Sequence, residues 1–381
     1  VNVLYVIPGL GIGGGAERSL LDLAPGLRDN GIDLSIVYFH ERPSDAAAAF
    51  RAHGVSTELV TASGLVGRVR AVRRAIRRQR PDVVHTTLFE ADVVGRLAAL
   101  GLPPTVVSGQ VSTPYAPARR FDHAASRWRV AVARTVDALT LRLRCDRVLA
   151  NSDAVREEVI ERLHVAPERI TVVRRGRRPE DFGPVEPARR AQVRDGLGVG
   201  PDDPVLLMVG RQEPTKDHRT LVAAMPEVLA AHPGAVLVLV GREGSASTAL
   251  AEQIRALGIE GSVRQLGFRT DVADLLGASD VFVFPSTLEG LPGAVIEAMA
   301  GRVPIVAADI APVRELVDAR SAILVPVRDP GALAAAVNRT LDDPGAARAR
   351  AEAAWARFDA SFTLDQALRE TVEFYRSIGP R

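Results

Sequence analysis

Short apolar runs recur along the chain, most of them rich in valine, isoleucine or phenylalanine. Residues 1–7, 34–40, 82–87, 105–111, 147–151 and 170–173 form one series. Residues 205–209, 236–240, 263–268, 281–284, 304–307 and 323–327 form another. Continuous runs, without strict apolar–polar alternation, mark strands buried on both faces. Between them the spacing becomes helical. Leu65, Val69, Val72 and Ile76, for example, share one helical face. Strand and helix therefore alternate, which predicts parallel sheets covered by helices. The two series meet at Gly183, Pro184 and Pro187, a stretch that reads as a hinge. The expectation is an α/β protein of two doubly wound, Rossmann-like domains, residues 1–183 and 184–361; 381 residues suffice for both.

Two helical patterns in the first half are strongly basic. Arg68, Arg70, Arg73, Arg74, Arg77 and Arg78 lie among the apolar positions of 65–78. After a Pro/Ser/Arg-rich loop at 112–120, Trp128, Val132, Val136, Leu139 and Leu143 share a stripe flanked by Arg127, Arg129, Arg134, Arg142 and Arg144. The stripe predicts a face packed inside an α/β layer, with the arginines solvated. The competing reading is a pair of basic amphipathic helices resting on an anionic membrane surface. Charge sharpens the choice. The net charge is +2, yet residues 1–180 hold 27 arginines and 19 acids (+8), and the remainder 21 basic and 27 acidic residues (−6). A basic half predicts an anionic partner, although compositional drift gives the same count. A nucleic-acid partner is not expected.

The single cysteine, Cys145, excludes an intrachain disulfide, fits a reducing compartment and reads as a small buried residue between helix and strand. No Cys/His cluster suggests a metal. Residues 1–7 read as a first strand and not a signal peptide, and no apolar run reaches the roughly 18 residues of a membrane span. The expected location is cytoplasmic, peripheral on the inner membrane face under the lipid reading.

The stretch from Phe284 to Gly301 carries the most chemistry. A strand ends at Phe284, and a helix is predicted from Pro292, proline suiting the first helical position. Glu289 then lies in the turn at the carboxyl end of a strand. Glu297 lies on the following helix, leaning back towards its start. Such strand-end crevices bind ligands in open α/β sheets, and the first-turn amides of Gly293 and Ala294 suit an anion. Two carboxylates beside an anion site would repel a bare phosphate. A nucleotide sugar resolves the conflict, because its diphosphate takes the amides and its hydroxyls donate to the carboxylates. The bland alternative is an ordinary helix with a capping acid and a solvated glutamate. Arg211 and the only lysine, Lys216, bracket another strand-end loop on the same side. Arginine offers phosphate a planar fork and lysine a mobile point charge. Near the start, Gly9, Gly11 and Gly14 match the dinucleotide fingerprint, and Glu41 closes the second strand, so NAD competes for that loop. His85, alone, reads first as a structural strand-end histidine.

These segments resemble the retaining glycosyltransferases of family 4, which have the GT-B fold of two Rossmann-like domains facing across a cleft. Glu289 and Glu297, separated by seven residues and followed by Ala298-Met299-Ala300-Gly301, match the family's paired-glutamate motif. Gly13-Gly14-Gly15-Ala16-Glu17 resembles its first loop, and Gly210-Arg211 with Lys216 its diphosphate grip. Gly267 to Asp271 is similar to the loop that contacts the nucleotide base, and 362–378 to the helix that crosses back onto the first domain, assigned here as 362–381. Three departures stand out. Thr87 replaces the second histidine of Val-Val-His-x-His, Arg174-Arg175-Gly176 replaces Pro-Asn-Gly, and Gly241-Arg242-Glu243 replaces Gly-Asp-Gly.

The resemblance implies transfer of a sugar from a nucleotide diphosphosugar to a hydroxyl acceptor (glycolipid, polysaccharide or small molecule) with retention, without metal or cofactor. It implies that Glu289 contacts the sugar and Glu297 the ribose. Arg211 and Lys216 would stabilise the leaving diphosphate and, with Glu289, form the catalytic set. Gly14 and Gly15 would let the backbone approach the diphosphate, and Phe268, Leu291, Gly293 and Ala294 would complete the donor site. His85 and Thr87 are candidates for sugar or acceptor contacts. Thr87 also admits a different sugar, or a catalytically silent partner subunit that binds nucleotide sugar. An NAD-dependent oxidoreductase, the third reading, leaves the second half of the chain unexplained.

Overall fold

The structure, a computed structural model, describes residues 1–11, 14–41, 46–116, 126–183 and 185–379. Gly13, Pro184 and residues 117–120 of the basic loop therefore lie outside the described residues. The chain divides into two units, Val1–Gly176 with Leu364–Arg381, and Arg177–Thr363. The division precedes the Gly183–Pro187 stretch because Phe182, closing the 3-10 helix Pro179–Phe182, is already buried in the core of the second unit.

The first unit holds seven parallel strands: β1 (Asn2–Leu10), β2 (Asp33–Glu41), β3 (Ser56–Leu59), β4 (Val83–Thr87), β5 (Thr105–Gln110), β6 (Arg147–Ala150) and β7 (Ile170–Val172). Their order is β3-β2-β1-β4-β5-β6-β7. The connecting helices are α1 (Gly15–Asp29), α2 (Ala46–Ala52), α3 (Gly64–Gln79), α4 (Phe89–Ala98), α5 (Arg127–Arg144) and α6 (Asp153–Leu163). Strand alternation feeds two cores. Val3, Tyr5 and Ile7 pack with Leu20 and Leu27 of α1, whereas Leu4 and Val6 pack with Val72 and Ile76 of α3 and Val94 of α4. Ser152 caps α6, its Oγ accepting from the Val155 amide at 3.1 Å.

Helix α5 turns its faces the opposite way from the sequence expectation. Trp128, Val132, Leu139 and Leu143 are exposed, at 66%, 53%, 51% and 64%, while Asp137, Thr140 and Leu141 are buried. The cause lies on α4. Arg96, with no exposed surface, donates to Asp137 Oδ1 at 2.6 Å and to Thr140 Oγ1 at 3.0 Å. The Tyr115 hydroxyl donates to Asp137 Oδ2 at 2.9 Å. A buried guanidinium robbed of its partner costs about 3–5 kcal/mol, so this ion pair fixes the rotation of α5 and the apolar stripe is left outside. Asp92 completes the cluster. Burial pushes its carboxyl up to about 6, against the pull of Arg96.

The second unit holds β8 (Val205–Val209), β9 (Val236–Val240), β10 (Val263–Gly267), β11 (Val281–Phe284), β12 (Ile305–Ala308) and β13 (Ile323–Val325), all parallel, in the order β10-β9-β8-β11-β12-β13. Helices α7 (Pro187–Gly196), α8 (His218–Ala231), α9 (Ser247–Ala256), α10 (Val272–Ala278), α11 (Gly293–Ala300), α12 (Ala311–Arg314), α13 (Pro330–Asp342) and α14 (Pro344–Ser361) cover it. Leu206, Met208, Leu237 and Leu239 enter one core; Val205, Leu207, Val236 and Val238 enter the other, which α11 shares through Val295, Ile296 and Met299. A last helix, α15 (Leu364–Ile378), belongs to the first unit, where Val372, Phe374 and Tyr375 join the core of β1.

Each sheet reverses its strand order once, between β1 and β4 and between β8 and β11. The crevice at the carboxyl ends of two such strands is where doubly wound sheets bind ligands.

Candidate active site

In the second unit the loops that follow β8 and β11 are tied together at this reversal. The Thr215 carbonyl accepts from the Thr287 amide at 2.8 Å and from Ser286 Oγ at 2.9 Å. This brings Lys216 to Glu289, with Nζ 2.5 Å from Oε1. Ser286 Oγ donates to the same oxygen at 2.7 Å, and the lysine ammonium lies 5.8 Å from the centroid of the Phe284 ring. The lysine and glutamate side chains keep 24% and 11% of their surface, so the pair remains within reach of a ligand. Arg211 is the open cation of the site. Its side chain is 62% exposed and its carboxylate neighbour, Glu213, is 3.7 Å away.

Helix α11 begins one residue later than expected. Pro292 is the N-cap, with φ −73 and ψ 107, and Gly293 is the first helical residue. Proline offers no side-chain acceptor, and no side chain caps this end. The amides of Gly293 and Ala294 have no intrahelical acceptor and carry the positive end of the helix dipole. Leu291 is buried beneath them, 2% exposed, in the core that α11 shares.

Glu297, on α11, has a partner that sequence reasoning missed. Arg177 Nε donates to its Oε1 at 2.8 Å, and the arginine side chain is only 4% exposed. The Arg-Arg-Gly-Arg run of 174–177 was the available signal, but its basic character gave no target for any one arginine. The Gly241-Arg242-Glu243 departure keeps the glycine that matters. Gly241 has φ +146, and a Cβ there would stand 2.0 Å from the Gly210 carbonyl oxygen. Only glycine lets these two loop backbones approach so closely. Arg242, next in line, lies 4.7 Å from the Phe268 ring centroid, and that ring is 43% exposed. His218, the first residue of α8, is 2% exposed, and burial pushes its imidazole down to about 4.

The remaining sequence candidates belong to the first unit. Gly14 is the N-cap of α1 and Gly15 its first residue. A Cβ on Gly14 would lie 1.9 Å from a Glu17 carboxylate oxygen, and one on Gly15 2.8 Å from an Arg175 guanidinium nitrogen. The start of α1 is thus flanked by one acid and one cation. His85 and Thr87 both lie on β4 and are 3% and 0% exposed. The His85 Nδ1 is 2.7 Å from the Tyr375 hydroxyl, and the Tyr5 hydroxyl is 2.6 Å from Thr87 Oγ1. Burial pushes the His85 imidazole down to about 3, so it is neutral at physiological pH. A Cβ on Gly109 of β5 would come within 2.6 Å of His85 Nε2 and 2.5 Å of Thr87 Oγ1. The adjacent Leu88 holds φ +74, a strained value for a bulky side chain. Among the described residues no group of His, Cys, Asp and Glu is placed to hold a metal ion.

Residues 203–343 match the family model described as glycosyl transferases group 1, and residues 13–181 match that of glycosyltransferase family 4. The D-inositol 3-phosphate glycosyltransferase 2 of Catenulispora acidiphila is 31% identical over 366 residues, 88% of this chain and 83% of that protein. A D-inositol 3-phosphate glycosyltransferase of Kineococcus radiotolerans is 36% identical over 250 residues, 61% of this chain and 57% of that relative's length. Among solved structures, Anabaena HepE in complex with UDP-glucose superposes with a TM-score of 0.86 at 24% identity, covering 98% of this chain and 99% of that one. Sucrose-phosphate synthase of Thermosynechococcus elongatus superposes with a TM-score of 0.82 at 21% identity, with 99% of each chain covered.

Proposed function

The chain belongs to glycosyltransferase family 4, with two Rossmann-like domains of the GT-B class, and from that premise we propose that it moves a sugar from a nucleotide diphosphosugar to a hydroxyl acceptor with retention at the anomeric carbon and without a metal. The observation that carries this reading is the Lys216–Glu289 pair, held beside the open start of α11 where β8 and β11 part. The diphosphate lies on the Gly293 and Ala294 amides, Arg211 and Lys216. The amides and Lys216 are held in place before the reaction and the more open Arg211 completes the set, all meeting the charge that builds as the glycosidic bond breaks, the electrostatic effect that usually dominates catalysis. Glu289, freed from Lys216 as phosphate takes the ammonium, accepts from the sugar hydroxyls. Glu297, oriented by Arg177, accepts from the ribose. The Phe268 ring, with Arg242 against it, offers a face to the base. Gly14 and Gly15 belong to the donor's diphosphate side, and His85 and Thr87 support the acceptor side from within the sheet.

Gly14 and Gly15 fall inside the region matched to glycosyltransferase family 4, whereas Gly9 and Gly11 precede it, and membership of that family favours a sugar donor over NAD at this loop. Solved relatives contain UDP and UDP-glucose, so uridine diphosphosugars head the donor panel. D-inositol 3-phosphate, from the names of curated relatives, heads the acceptors. Thermal-shift screening of nucleotide sugars, followed by NMR of the product anomer, tests the reading. A stabilising donor and a product with the donor's anomeric configuration are expected. An inverted product overturns retention, activity lost to EDTA and restored by a divalent cation overturns metal independence, and donor binding without turnover across the acceptor panel favours the silent partner subunit.

A further inference from the structure

We infer that the outer face of α5 is a docking surface for an anionic lipid bilayer, a property that goes beyond glycosyl transfer and stands or falls separately from it. At 3.6 residues per turn, Trp128, Leu139, Val132 and Leu143 fall within an arc of about 60°, and the stripe runs about 22 Å along the helix. All four are more than half exposed. Soluble proteins rarely leave an aligned apolar stripe in water without a use for it.

The charges around the stripe select the partner. Arg129 and Arg142 are exposed and, at the same 3.6 residues per turn, lie about 70° to either side of the stripe's centre. The only acid on the helix, Asp137, is turned inward and bound to Arg96. The exposed face of α5 therefore offers apolar groups and positive charge with no negative charge. An antiparallel or parallel contact with a second copy would set arginine against arginine. A bilayer with anionic headgroups suits both halves of the face. Leucine and valine enter the acyl boundary, tryptophan prefers the interface, and arginines reach out to the headgroups along their aliphatic stems. The Arg129 guanidinium already lies 5.6 Å from the Trp128 ring centroid. Helix α3 adds to the basic character of the unit, with Arg70, Arg74 and Arg77 exposed beyond an exposed first turn, Leu65 and Val66. The Arg96–Asp137 anchor holds α5 in this rotation, so the face is present before any lipid is met. No described helix is long and apolar enough to cross a membrane, and docking on the surface requires none.

The test uses the full chain carrying Trp355→Phe, so that Trp128 is the only tryptophan. Vesicles of phosphatidylcholine alone are compared with vesicles containing phosphatidylglycerol. Docking predicts co-sedimentation that rises with anionic content and falls with salt, together with a blue shift of Trp128 emission. The double variant L139D/L143D should lose at least about tenfold in partition. Each of Arg129→Gln and Arg142→Gln should lose roughly fivefold at low salt. Both sets of substitutions are on the exposed face, so thermal denaturation should match the parent. Equal binding to both vesicle types, an unmoved Trp128 emission, vesicle binding indifferent to L139D/L143D, or a dimer in sedimentation velocity that the double variant abolishes would each overturn the assignment.

Discussion

Glu289→Gln tests whether the glutamate and the diphosphate compete for one ammonium. Lys216 Nζ sits 2.5 Å from Glu289 Oε1. A diphosphate that takes this lysine must weaken that contact. Charge-assisted hydrogen bonds of this kind are worth about 1.5–3 kcal/mol. Because the lysine retains a quarter of its surface, the lower end applies, and about 1.4 kcal/mol is tenfold in affinity. Glutamine keeps the shape and can still accept from Ser286, but it no longer holds the ammonium by charge. The variant should therefore bind the nucleoside diphosphate about tenfold more tightly, while turnover at saturating donor falls because the sugar loses its acceptor. Calorimetric titration of the diphosphate into parent and variant, alongside single-turnover measurement, reads both quantities. The argument fails if the variant binds diphosphate more weakly, to the extent seen for Lys216→Ala. Glu289 would then serve to position the lysine and not to compete for it.

Lys216→Ala should weaken the free diphosphate and the sugar donor alike by about 1.5–3 kcal/mol; equal calorimetric affinities for parent and variant would count against the diphosphate grip. Glu297→Gln should lower nucleotide affinity through the ribose by about 0.5–1.5 kcal/mol, and a calorimetric affinity equal to the parent's would count against that contact. Acid should weaken both units. His85 and His218 have folded values depressed to about 3 and 4 from 6.5, so their contribution is complete above 6.5 and declines as pH falls, by about 1.4 kcal/mol per pH unit for each. Asp92, raised to about 6 from 3.8, works with the opposite sign, giving the first unit a gain as pH falls through 6 that partly offsets His85. Denaturation midpoints at pH 7.5 and 5.0 should therefore fall further for the second unit than for the first, and midpoints independent of pH would refute the assignment of neutral buried histidines.

The strands buried on both faces were legible, because a run such as 205–209 or 281–284 suits little else, whereas β3, a short edge strand with no buried residue, was missed. The site was legible where its groups lie close in sequence to strand ends, as with Lys216 after β8 and Glu289 after β11. What escaped was set by long-range partners. Arg177 meets Glu297 across 120 positions and His85 meets Tyr375 across 290, and nothing local marks either pair. Helix α5 shows the limit of periodicity. The spacing of Trp128, Val132, Leu139 and Leu143 correctly gave a stripe, but a stripe does not say which way it faces. That was decided by Arg96, a buried charge on another helix that required Asp137. The division between units was likewise set by the packing of Phe182 and not by the prolines that follow it.

The return of α15 to the first unit bears on the order in which the chain folds during synthesis. Residues Arg177–Thr363 form an uninterrupted unit and can complete their core as soon as they emerge. The first unit is synthesised earlier but cannot close, because its β1 core awaits Val372, Phe374 and Tyr375, and His85 awaits the Tyr375 hydroxyl. Domains usually mature from the amino-terminal end during synthesis. Here the earlier unit is finished last, and until α15 arrives the part of the β1 core that Val372, Phe374 and Tyr375 complete lies open to aggregation, although α1 and α2 cover the rest.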